Sequence, residues 1–130
     1  MKKILLIVLC ITGLIACTAS RKTGNPTNKK NETETKIKKP DDGIYPPAEE
    51  ELEALKVRFQ ELTLATLKEG YLIYATGACI GCHNAKNIYR YDETQWQHII
   101  DDMALAAKIN DTQKDAVHKY VLSIKATQTK

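Results

Sequence analysis

The stretch "ACIGCH", residues 78–83, sets Cys79 and Cys82 three positions apart, with His83 directly after the second. This spacing has three chemical readings: a redox dithiol, half of a zinc site, or the attachment point of a cofactor. A thioredoxin-like dithiol follows a strand within a βαβ pattern. A structural zinc site requires four ligands. Covalent cofactor attachment requires two reachable thiols and a compartment where the attachment is made. The rest of the chain distinguishes them.

No β-alternation of useful length appears on either side of the motif, and its flanks carry helical periodicity. The dithiol therefore lacks its strand. For zinc, a fourth ligand would have to be His98 or His118, and neither stands at an ordinary spacing from Cys79, Cys82 and His83. The third reading fits: Cys-x-x-Cys-His is the signature of c-type haem attachment. Haem has two vinyl groups that accept thiols as thioethers, and two cysteines three positions apart on a helical turn reach both. The imidazole of His83 then meets the iron from one side. One covalent haem c, held by Cys79, Cys82 and His83, is the expectation.

The N-terminus supplies the compartment. Lys2 and Lys3 precede an apolar run, Ile4–Ala16, broken only by Thr12 and Gly13. That run is short of the roughly 20 residues a membrane span needs. A basic start, a short apolar stretch and then small residues read as a secretory signal. Its end, "LIAC" (Leu14 to Cys17), resembles a bacterial lipobox. The resemblance implies cleavage before Cys17 and a diacylglycerol on its thiol, with two or three acyl chains giving stable anchoring. The expected location is extracytoplasmic, lipid-anchored to a bacterial membrane, on the periplasmic side in a Gram-negative cell. Thr18 is not the Asp that the same resemblance associates with inner-membrane retention. Of the four cysteines, Cys10 leaves with the signal and Cys17 carries lipid. Cys79 and Cys82 remain, in a setting that permits thiol oxidation.

Charge excludes one class of partner. The formal net of +3 rests on 19 basic and 16 acidic residues. Without Lys2 and Lys3 it is 17 against 16, and residues 49–130 hold 10 against 12, or −2. With no basic face, there is no case for nucleic acid. The chain divides into a signal (1–16), a lipid-anchored disordered tether (17–48) and a folded domain (49–130). Thr18–Ala48 has almost no large apolar residues beyond Ile37, Ile44 and Tyr45, too few to repay ordering. The domain is predicted to be all-α, with four or five short helices. One begins after Pro46 and Pro47 and carries Leu52, Leu55, Phe59 and Leu62. A second begins near Thr66, with Glu69 completing a capping box. Asp92 with Gln95, and Thr112 with Asp115, mark two further helix starts. About 80 residues with one Phe form a thin core, and chains this small often need a disulfide, metal or cofactor as a staple.

Residues 62–125 resemble a bacterial class I cytochrome c domain. Gly70 and Tyr74 are similar to the glycine-x-x-x-aromatic pattern of that family's N-terminal helix. Tyr120 and Val121 are similar to the aromatic–aliphatic pair of its C-terminal helix. The resemblance implies a compact fold around the haem in which these two helices cross, glycine against aromatic. One departure is visible: Tyr74 stands five residues before Cys79, where four is commoner.

The second axial ligand follows from the same frame. Met1 leaves with the signal, so of the two methionines only Met103 can serve. Compact family members carry Trp, then Ile or Val, then Met on one helix, as in "WQHIIDDM". A Met on an apolar helical face is otherwise core filler, and His98 and His118 are rivals as ligands. Trp96 is expected to pack on the porphyrin. Tyr71, Tyr89, Tyr91 and Arg90 are all able to hydrogen-bond a propionate. His/Met ligation raises the reduction potential, and six-coordinate iron favours electron transfer over catalysis. No Ser/His/Asp set, phosphate loop or carboxylate pair suggests an enzyme or a small-molecule substrate. The expected role is a membrane-tethered monohaem carrier of single electrons between redox proteins. The alternatives are a haem-based sensor or ligand-binding protein, and a haem subunit of a larger redox complex.

Overall fold

The computed structural model describes residues 39–128. The expected signal, the expected lipid site at Cys17 and the segment read as a tether, up to residue 38, lie outside the described residues. Within them the fold is all-α. Four helices, α1 (Glu49–Lys56), α2 (Leu64–Ala75), α3 (Glu93–Ala107) and α4 (Asp111–Ala126), are joined by two 3₁₀ turns, Ala78–Ile80 and Ile88–Arg90. There is no strand among the described residues, and no helix there is long and apolar enough to cross a membrane.

The start of α3 follows the sequence: Asp92 accepts from the Gln95 N–H at 2.7 Å, and the Gln95 side chain accepts from the Asp92 N–H at 3.0 Å. Two other starts fall earlier than expected. Thr63, not Thr66, caps α2, its hydroxyl oxygen accepting from the Thr66 N–H at 3.2 Å. The extra turn brings Leu64 and Leu67 onto a leucine cluster. Asn110, not Thr112, caps α4, in a reciprocal box with Gln113 at 2.9 and 3.0 Å. Asn outranks Thr as a cap, and Asp115 instead pairs with Lys119 at 2.6 Å. The first helix is also shorter than expected. It ends at Lys56, and turns closed by Arg58 N–H to Leu55 O (2.9 Å) and Leu62 N–H to Phe59 O (3.0 Å) keep Phe59 and Leu62 on the leucine cluster.

Helix α4 is the spine. Leu122 packs with Leu52, Leu55, Leu62 and Leu67, while Val117, Tyr120, Val121 and Ile124 pack with Tyr74, Ile88, Trp96 and Ile100. The closest crossing is with α2 at Gly70. A Cβ there would lie 2.1 Å from the Ala116 carbonyl oxygen and 2.8 Å from Tyr120 Cβ. Only a residue without a side chain permits that approach.

The ordered chain begins before residue 49, correcting the tether boundary. Residues 39–48 form a strap against the domain. Gly43 is buried with φ +73°, and a Cβ would meet Tyr89 Cζ at 3.0 Å and Ile124 Cγ2 at 3.1 Å. Ile44 and Tyr45 pack on the core. The strap is locked by a buried carboxylate: Glu51 accepts from Lys39 Nζ at 2.8 Å, Tyr45 OH at 3.0 Å and Thr127 Oγ1 at 3.0 Å. Its other oxygen accepts from the Ala48 N–H at 3.0 Å. Burial pushes the Glu51 carboxyl up, but the Lys39 ammonium and the other donors outweigh it and hold it below its ordinary value. Composition missed this segment because its ordering rests on one glycine and one buried ion pair rather than on apolar count.

Candidate functional site

Helix α2 ends where the Thr76 hydroxyl donates to Leu72 O at 2.9 Å. Gly77 then folds the chain back against the helix it has just left. A Cβ at Gly77 would meet Leu72 O at 2.9 Å and Ile73 Cα at 3.0 Å. This reversal delivers the 3₁₀ turn Ala78–Ile80 with Cys79 directed inward. The Cys79 side chain is buried, which pushes its thiol above the ordinary range and keeps it neutral. Cys82 lies beyond that turn and is exposed, so one helical turn does not hold both thiols; neither is in a disulfide.

His83 is exposed. Its Nδ1 stands 2.6 Å from the Asn84 carbonyl oxygen. A carbonyl only accepts, so that contact places the proton on Nδ1 and leaves the Nε2 lone pair free for a metal.

Helix α3 forms the facing wall. Trp96 and Ile100 are buried on it, and Ile99 and Met103 are half-buried. Together with Cys79 and Tyr74 they line a small apolar cleft. Ala104, Ile109 and Val117 complete it. The structure thus brings Cys79, Trp96 and Met103 to one cleft, with Cys82 and His83 outside its lining. Trp96 does more than pack: its indole N–H donates to the Ile88 carbonyl at 2.8 Å.

The histidine rivals are elsewhere. His98 is exposed, and neither it nor His118 lines the cleft. Burial pushes the His118 imidazole down, against the pull of Asp115 and Asp101. Tyr71 and Tyr91 are engaged with aromatic partners, Tyr120 at 5.6 Å and Trp96 at 5.5 Å between ring centroids. Tyr89 packs at Gly43, and Arg90 lies 5.7 Å from the Tyr91 ring. Among the described residues no group of three His, Cys, Asp or Glu side chains gathers into a metal site.

Ile109 was not foreseen. Lys108 takes the left-handed conformation (φ 54°) and the Ile109 N–H bonds Ala104 O at 3.2 Å, the Schellman ending of α3. In that motif the residue after the left-handed one makes an apolar contact with the helix. "AKI" followed by a capping "ND" carries the signal, but Lys in place of Gly conceals it.

The donor types match those a haem uses, whereas the cleft, with room for about one water, would have to open to admit the haem. A thiol inside an apolar cleft, a second thiol three residues on, an imidazole with Nε2 free and a thioether on the cleft wall are the groups such a cofactor needs. No family model, curated protein or solved structure matches the chain.

Proposed function

We propose that this chain is a monohaem cytochrome c of compact fold that carries single electrons between redox proteins outside the cytoplasm, tethered to a membrane by a lipid on Cys17. The observation that carries the reading is the convergence of Cys79 of a Cys-x-x-Cys-His motif with Met103 and Trp96 on one apolar cleft. The close crossing of α2 and α4 at Gly70, against Ala116 and Tyr120, supports the same fold. Cys79 and Cys82 would hold the haem as thioethers, with His83 Nε2 and Met103 Sδ as axial ligands.

When bound, the haem supplies a one-electron Fe(III)/Fe(II) couple, raised in potential by a thioether ligand. The chain's own contribution is positional. The Asn84 carbonyl orients the His83 ring and makes it a better donor. Ile99, Ile100 and Val117 keep the cleft apolar and exclude water, which favours the less charged ferrous form.

The test is a visible spectrum of the full chain matured with the haem-attachment machinery, oxidised and reduced. A low-spin c-type spectrum is expected, and Cys79→Ala with Cys82→Ala should abolish covalent haem. A wild-type chain that accumulates folded and colourless under those conditions overturns the proposal.

A further inference from the structure

The segment after His83 is short, exposed at Asn84 and Asn87, and contains no α-helix. Left alone, it would not hold a ligand in a fixed orientation. It is held from three sides by donors to its backbone and one acceptor. The Tyr74 hydroxyl donates to the Lys86 carbonyl. The Trp96 indole donates to the Ile88 carbonyl at 2.8 Å. The Ile88 N–H donates to the strap at Asp42 O, 2.7 Å.

Tyr74 is the member closest in sequence to the iron-ligand side of the loop. Its ring is wedged between Trp96 and Tyr120, at 5.9 and 5.8 Å between centroids. Only 5% of the residue is exposed. Burial pushes its hydroxyl above the ordinary tyrosine range, so it remains a donor throughout the pH range of a folded protein. The departure in spacing has a structural counterpart here. Gly77 takes up the extra residue between Tyr74 and Cys79 by folding back on Leu72 and Ile73. Tyr74 can then reach past the whole Cys-x-x-Cys-His motif to a carbonyl three residues beyond His83.

We infer that Tyr74 is a positioning residue for the axial histidine: its hydroxyl clamps the 84–88 loop and so fixes the carbonyl that orients His83. This rests on the haem reading above. A firmly held carbonyl keeps the His83 Nδ1–H bonded and the ligand strongly donating, which favours ferric iron. Loosening the clamp weakens that bond and moves the couple toward the ferrous form.

The experiment compares haem-loaded wild type, Tyr74→Phe and Tyr120→Phe at one fixed solution potential, reading the ferrous-to-ferric ratio. Tyr120 is the control because its hydroxyl is equally buried but donates to Tyr45 O at 3.1 Å, away from the loop. Tyr74→Phe should raise the ratio roughly two- to tenfold, the equivalent of one neutral hydrogen bond. Tyr120→Phe should lower the melting temperature and leave the ratio alone. Equal ratios in the two variants, at whatever melting temperature, overturn the inference and make Tyr74 a packing residue only. Should Tyr74→Phe fail to accumulate, Trp96→Phe removes the neighbouring donor, and an unchanged ratio there overturns the clamp. A wild type without covalent haem is a separate outcome: it sinks the function itself, and the inference with it, before any substitution is compared.

Discussion

Replacing Gly70 with Ala puts one methyl group into the α2–α4 crossing, and the structure sets its cost. Ordinary contact for a Cβ begins near 3.4 Å, whereas here the Ala116 carbonyl oxygen lies at 2.1 Å, so about 1.3 Å is missing. The obstacle is backbone inside a helix, which cannot rotate away as a side chain would, so α4 must move as a body. Overpacking of this kind costs about 1–3 kcal/mol and sometimes more. Alanine gives back about 1 kcal/mol of helix propensity. A net loss of about 2 kcal/mol is the expectation, with the overpacking term at or above the top of its range because no flexible atom can yield. For a domain of this size each kcal/mol moves the melting temperature by roughly 4–8 °C. Circular dichroism of the full chain should therefore show a fall on the order of 10 °C. Because α2 carries Tyr74 and α4 carries Tyr120, the same shift should loosen the cleft and lower the yield of covalent haem. Gly81→Ala is the control: its nearest neighbour is at 3.5 Å, ordinary contact. It should stay within about 0.5 kcal/mol of wild type. A Gly70→Ala chain that melts at or above wild type would refute the close crossing.

Glu51→Ala removes the acceptor on which Lys39, Tyr45 and Thr127 converge; Lys39 keeps Glu50 at 3.0 Å, so the loss is that of charge-assisted hydrogen bonds, about 1.5–3 kcal/mol, readable as a shift in the urea midpoint. The pH dependence has a defined sign: the folded Glu51 carboxyl lies below its ordinary value of 4.5, so its contribution is complete above that pH and is lost as pH falls below it. A thermal melt series from pH 6 down to 2 should show this loss in wild type and a flatter profile in Glu51→Ala. Lys108→Gly relieves a left-handed residue with a Cβ at φ 54° and should stabilise by about 0.5–1 kcal/mol in the same urea assay. Met103→Ala should abolish the thioether-to-iron charge-transfer band of ferric protein, and survival of that band would remove Met103 as a ligand.

What could be read in advance divides by the physics involved. Periodicity and capping chemistry are local, so the all-α class, the α3 start at Asp92 and the apolar face of Trp96, Ile100 and Met103 were legible. Glycine against Tyr120 was legible only through resemblance, because a close helix crossing is a contact between residues far apart in the chain. The misplaced helix starts have a common cause. "TLATLKE" and "NDTQKD" each offer more than one cap residue, and the choice is made by tertiary burial of Leu64 and Leu67 in one case and by the reciprocal Asn110–Gln113 box in the other. The strap was invisible for a different reason. Its polar composition argues for disorder until the partner is known, and that partner, Glu51, looks in sequence like one of three acidic residues at the positive end of a helix.

The strap also bears on how residues 39–48 and the 84–88 loop share one fold. Asp42 accepts from the Ile88 N–H at 2.7 Å, and the Asn87 amide donates to Asp41 O at 3.3 Å. Eight residues after Ile88, Trp96, whose own N–H bonds Asp92 O at 3.0 Å in the first turn of α3, donates back to Ile88 O. Ile88 is therefore held on both backbone groups at once, by the strap and by the helix that carries Met103. Any force or substitution that frees Lys39 from Glu51 releases the strap end of this pairing first. Lys39→Ala should thus cost less than Glu51→Ala, since it leaves the carboxylate three of its four donors, Tyr45, Thr127 and the Ala48 N–H. It should nonetheless raise amide exchange at Ile88, some distance along the chain from the change. If Lys39→Ala leaves Ile88 exchange unaltered while destabilising the protein, strap and loop are energetically independent, and the cleft is organised by Tyr74 and Trp96 alone.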